Sequence, residues 1–342
     1  MKIEFCVSGV SSSEEDCRRL GIIVGHAAEQ MGVAFESIDE VIVATPDQFG
    51  DVVARFDPSR KYTNSRGLVA AGKTIPHRKT NTPVTNSILL QYSVVRQIFD
   101  APLQYGRDFF TWPAEPQRNF YVLQHELGHC LDHSRRDDVE DDGTYRTEDG
   151  QRAVRHGLSS FCAYHHSMLL GELTACAHAA HAYTDGVRAL DCEMNNQFMR
   201  AQIADLMRRT IETPQALGDI RAEGIGLFWF VLFQQAKFTG AKVGNPDLPS
   251  KPAAELWEIG AAMPEITEIL ASAEAAMEAA WSGYPVFESS LRETLSSCFA
   301  DMAAVCGYRF QDTTGRDGIW WDRPLQLNML GRLEALARPT PP

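Results

Sequence analysis

The sequence predicts an α+β protein in which a small sheet and a helix carrying His-Glu-x-x-His come first and a mainly helical part follows. Short runs rich in β-branched residues all fall before residue 96, and the motif at 125–129 sits inside a helical apolar pattern. Beyond residue 158 nearly every segment places its apolar residues at helical spacing. The division expected is therefore an α+β unit over 1–157 and a helical unit over 158–342.

Residues 13–31 open with Ser13, a capping residue, and then Glu14, Glu15 and Asp16, which suit the positive end of a helix dipole. Leu20, Ile23, Val24 and Ala27 follow at helical spacing, so this is a first helix. Residues 40–45 (EVIVAT), ended by Pro46, read as a strand, and 47–56 as a short helix. Residues 67–74 (GLVAAGKT) and 87–95 (SILLQYSVV) read as two further strands, separated by a loop rich in Pro, Thr and Asn. An edge strand can take an extended peptide by strand addition, and 87–95 is the candidate; its alternative is a buried central strand.

The next helix holds Phe120, Leu123, Leu127 and Leu131 at i, i+3, i+7 and i+11, one buried stripe. On a neighbouring face His125 and His129 lie one turn apart, so their imidazoles can converge on one metal ion. Glu126 projects beside them. This pattern points to two neutral imidazole ligands for zinc and a carboxylate placed to take a proton from a zinc-bound water. The alternative is a helix with two packed or exposed histidines. Cys130 points about 100° away from that face and is expected to pack.

From 134 to 157 the chain is polar and reads as a surface loop. Asp138, Glu140, Asp142, Gly143 and Asp149 fall at positions 1, 3, 5, 6 and 12 of a calcium-loop pattern. Glu at position 3 and Asp at position 12 depart from it, and a solvated acidic loop is the favoured reading. Helices are then expected over 167–183, an Ala-rich stretch carrying Glu172, over 191–213, and to about Phe238. Residues 240–252 read as a linker, 253–281 and 288–306 as two more helices, and 326–337 as a last short one. The aromatic patch Ile319-Trp320-Trp321 either lines a cleft or, as favoured, packs over a core.

A formal net charge of −13, with no run of Lys or Arg longer than a pair, disfavours nucleic acid and anionic membranes as partners. The longest apolar run, 224–233, has ten residues against the roughly 20 a bilayer span requires, so no membrane segment is expected. The first residues lack the basic and apolar regions of a signal peptide. Eight cysteines without a Cys-x-x-Cys pair then read as reduced thiols in a cytoplasmic protein.

Two imidazoles leave a catalytic zinc short of a third protein ligand. The segment His125-Glu126-Leu127-Gly128-His129 resembles the shared motif of the zincin metallopeptidases, with a resemblance extending over about residues 1–185. The branch with an extended motif would need Gly at 132 and His or Asp at 135, where this chain has Asp132 and Arg135. Glu172, 43 positions after His129 in Gly171-Glu172-Leu173-Thr174-Ala175, looks like the third ligand of the gluzincin branch. The acidic residue often found four positions later is Cys176 here, so orientation of a ligand histidine is expected to come from another group. His133 lies about 12 Å along the axis from His125 and cannot join the same ion unless the helix breaks.

The resemblance implies zinc-dependent hydrolysis of a peptide or protein substrate in a cleft between the two parts, with Glu126 as general base. Tyr164, His165 and His166 are candidate donors to a developing oxyanion, and His178 and His181 are either site residues or helix-surface residues. Two rival readings stay open. One is a non-catalytic zincin-fold interaction protein, against which the presence of Glu126 argues; the other is a metalloprotease toxin or effector exported without a signal peptide.

Overall fold

A computed structural model describes residues 1–7, 13–56, 71–77, 83–136, 144–146, 152–154, 158–212, 217–247, 258–311 and 318–336. The chain enters as β1 (Lys2–Cys6) and turns into α1 (Glu14–Met31). Ser13 starts that helix with a reciprocal cap: its hydroxyl accepts from the Asp16 N–H, and the Asp16 carboxylate accepts from the Ser13 N–H. Gly32, at φ 70°, stops it in the left-handed conformation a side chain resists.

β2 (Ile38–Ala44), α2 (Pro46–Phe56), β3 (Gly72–His77), β4 (Thr85–Gln91) and α3 (Tyr92–Tyr105) follow. The four strands form one sheet in the order β1-β2-β4-β3, with β1, β2 and β4 parallel and β3 antiparallel to β4. Side chains alternate across it. Val41, Val43, Ile88 and Leu90 face a core made with α1, α3 and the motif helix, whereas Ile42, Ala44 and Leu89 face Phe49, Val52 and Val53 of α2.

Three expectations change here. β1 was not foreseen. The strand expected over 67–74 runs over Gly72–His77, while residues 67–70 lie outside the described ones. The stretch 87–95 divides: its first residues are β4, and Tyr92 onward is helix. β4 lies between β2 and β3, so it is the central-strand alternative that holds, and the candidate edge is corrected to β3. Burial of Ile88, Leu89 and Leu90 on both faces is the mark of an inner strand.

The motif helix α4 (Ala114–Arg135) is unbroken. In the segment expected as a loop, β5 (Thr144–Arg146) pairs with β6 (Arg152–Val154). Asp138, Glu140, Asp142, Gly143 and Asp149 lie outside the described residues. Helices α5 (Leu158–His178), α6 (Asp185–Glu212) and α7 (Leu217–Gly244) come next, then α8 (Ile259–Ala262), α9 (Pro264–Trp281) and α10 (Ser289–Val305). A hairpin of β7 (Tyr308–Gln311) and β8 (Gly318–Trp321) and a final α11 (Arg323–Leu336) complete the described chain. The architecture is α+β, with a small sheet early and a mainly helical C-terminal part.

Where a linker was expected, α7 continues through Gly240 to Gly244. Those glycines serve packing: a Cβ on Gly240 would lie 2.3 Å from the carbonyl oxygen of Leu173, and one on Gly244 2.0 Å from that of Ala177. The single helix expected over 253–281 divides at Met263, because Pro264 begins α9. Ile319 and Trp321 pack against the helical core while Trp320 faces solvent. Among the described residues no helix is long and apolar enough to cross a membrane.

Candidate metal centre

α4 presents different residues to different neighbours, as its 3.6-residue period requires. Leu123, Leu127, Cys130 and Leu131 pack into the sheet-side core, as the apolar stripe predicts, and Cys130 is fully buried away from the histidines. Gly128 faces α5 so closely that a Cβ there would lie 2.5 Å from the carbonyl oxygen of Ala175. That near-contact of backbones carries Glu172 to the histidines.

The Nε2 atoms of His125 and His129 are 3.2 Å apart. Glu172 sets one carboxylate oxygen 3.4 Å from His125 Nε2 and the other 3.7 Å from His129 Nε2. Ligands about 2.0–2.1 Å from a tetrahedral zinc are separated by roughly 3.3 Å, so the spacing suits one ion. Each residue offers a donor atom within 4.8 Å of the others, and no other such group of His, Cys, Asp and Glu occurs among the described residues. Glu172 Oε2 is buried without a well-aligned hydrogen bond, its near polar neighbours being His125 Nε2 at 3.4 Å and Lys237 Nζ at 3.3 Å. Two imidazoles and a carboxylate are a donor set that fits a zinc ion.

Charge around the cluster is mutually arranged. Burial would keep His125 neutral, yet Cys176 and Glu172 outweigh it and raise its pKa well above the ordinary value. Burial likewise opposes the Glu172 carboxylate, but Lys237, His125 and His129 hold it well below the usual range. Lys237 on α7 sets its Nζ 3.3 Å from Glu172 Oε2.

Glu126 stands between α4 and β3. Thr74 Oγ1 lies 2.8 Å from Glu126 Oε2 and donates to it, and the missing side chain of Gly72 makes room, since a Cβ there would lie 2.7 Å from Oε1. His125 Nδ1 lies 3.4 Å from Cys176 Sγ, and the same sulfur accepts from Tyr121 OH at 3.0 Å. The orienting contact expected from another group is thus made by Cys176 itself. A thiol one turn beyond Glu172 faces the same way as that glutamate, which was the available signal.

His133 remains outside the cluster, its Nδ1 2.8 Å from Asn86 Oδ1 on β4. The side chain of Tyr164 lies outside the described ones. His165 stacks on Trp229, and His166 is buried, with its pKa pushed down to about 4 by burial and by Arg292 and Arg136. His178 meets Tyr284 OH at 3.1 Å, and His181 lines a separate cavity of about 310 Å³ with Phe109, Phe110 and Phe120. None of these four histidines belongs to the cluster. Lys237, Thr74 and Cys176 were missed: the first two come from distant segments with no local motif. The chain matches no protein-family model, and comparison with curated proteins and solved structures found no match.

Proposed function

We propose that the chain is a zinc-dependent peptidase of the gluzincin kind, acting on a peptide or protein substrate. The observation that carries this reading is the convergence of His125, His129 and Glu172 beside a fourth side chain, Glu126, that is not part of the donor set. A purely structural zinc site closes its coordination with four protein donors and has no use for a neighbouring base. A zinc ion held by the three residues would supply Lewis acidity toward a substrate carbonyl and toward water.

The chain's own groups do the rest. Glu126, steadied by Thr74, accepts the proton of the attacking water and delivers it to the leaving amine. β3 borders Glu126 and has no strand on its other side among the described residues, so an extended substrate added there would run past the carboxylate. Pro76, which lacks an N–H, is of the kind found on edge strands. The unpaired thiols of Cys6, Cys17, Cys130, Cys176, Cys192, Cys298 and Cys306 favour a reducing, cytoplasmic setting. The test is the zinc content of the purified protein followed by digestion of an unbiased peptide library. Stoichiometric zinc and cleavage abolished by a chelator are expected. Zinc without any cleavage would instead favour the non-catalytic interaction protein.

A further inference from the structure

Resting on that reading of the metal centre, we infer that Lys237 is a positioning residue for the third ligand. Its ammonium holds the Glu172 carboxylate so that it faces both imidazoles. Two independent features converge on this. The Nζ to Oε2 distance is 3.3 Å, an ion pair at the oxygen that also lies 3.4 Å from His125 Nε2. Lys237, Gly240 and Gly244 are spaced i, i+3 and i+7 on one face of α7, and the two glycines bring that face into backbone contact with α5 at Leu173 and Ala177. Those residues follow Glu172 on its own helix, one and five positions later. The lysine is therefore delivered by a close helix–helix approach and does not arrive as a floating surface charge.

A carboxylate ligand left without such a partner rotates about its terminal torsion, which is broad and costs little to move. An ammonium at one oxygen removes that freedom before a cation arrives, the usual role of groups that bond to metal ligands. Only about a third of the lysine side chain is exposed, so its stem is confined as well. Against this stands simple repulsion: a fixed positive charge beside a dication opposes binding. The two effects predict opposite signs, which makes the inference testable.

The experiment compares wild type with Lys237→Met, Lys237→Gln and Lys237→Arg, titrating zinc against a chromophoric chelator and recording visible spectra of the cobalt(II)-loaded proteins. Lys237→Met is expected to bind zinc about 10- to 100-fold more weakly and to show an altered cobalt spectrum. Lys237→Gln, which keeps a donor and is the safer folder, should fall between, and Lys237→Arg should restore both signals. Zinc affinity that is unchanged or tighter in Lys237→Met and Lys237→Gln, with wild-type cobalt spectra, overturns the inference while leaving the metal centre standing. Failure of wild type itself to bind zinc overturns the metal centre and this inference together.

Discussion

The α-carbon of Gly128 lies against the carbonyl of Ala175, with no room between the two helices for a methyl group. Gly128→Ala must push α4 and α5 apart, and overpacking of this kind costs roughly 1–3 kcal/mol. The displacement also carries Glu172 away from His125 and His129. Urea unfolding and zinc titration of the variant should therefore show a lower midpoint and weaker binding together; a normal zinc affinity would mean the approach of the two helices does not set the cluster.

Glu126→Gln is expected to keep the fold and the zinc stoichiometry while lowering peptide hydrolysis by roughly 10²- to 10⁴-fold, the usual loss when a positioned base is removed. Peptidase rate and metal content measured on one preparation decide this. Loss of zinc would make Glu126 a ligand and not a base.

Glu172→Ala should weaken zinc binding and remove activity, whereas His133→Ala should leave zinc stoichiometry unchanged because His133 faces Asn86. Metal analysis after dialysis separates the two, and the reverse pattern would reject the assignment of the third ligand.

Cys176→Val keeps an apolar side chain of similar size but removes the sulfur that meets His125 Nδ1 and Tyr121 OH. Zinc affinity is expected to fall about 10- to 100-fold, and Cys176→Asp, which restores an acceptor, to recover it. Equal affinity in Cys176→Val would leave the sulfur with packing alone.

His166 is buried, with its folded pKa near 4. Unfolded, it takes up its proton near pH 6.5, so between these values the unfolded chain binds more protons. Stability is then fully present above about pH 6.5, is lost as pH falls, and levels off below about 4, with about 3 kcal/mol at stake for this one group. Between pH 7 and 4.5 the urea midpoint of wild type should fall further than that of His166→Phe; a parallel decline in both would assign the acid sensitivity elsewhere.

Much of this was legible in the sequence because the signals were local. Ser13 with Asp16 marked the start of α1, the β-branched run marked β2, and the four-residue spacing of His125 and His129 put both on one face. Where the signal was ambiguous the reading slipped. The largely apolar stretch 87–95 passes from strand to helix at Gln91 and Tyr92 with neither Gly nor Pro to mark the change, and short apolar stretches have no period to separate the two states. Gly240 and Gly244 looked like punctuation but are contact points, a role visible only once α5 is beside them. Strand order is a property of pairing, so the free edge passed from 87–95 to β3. Lys237 lies 65 positions beyond Glu172, and nothing near either residue announces the other.

α4 is shared by two cores. Tyr121 belongs to the helical cluster, while Leu123, Leu127, Cys130 and Leu131 belong to the sheet-side cluster. The histidines therefore ride on a common beam and not on either half. Softening of the sheet or of the helical layer tilts the same beam, so release of the proposed zinc would report on the integrity of the whole fold. Zinc bound there would in turn brace both layers at once, shifting their unfolding by the logarithm of its concentration over its dissociation constant.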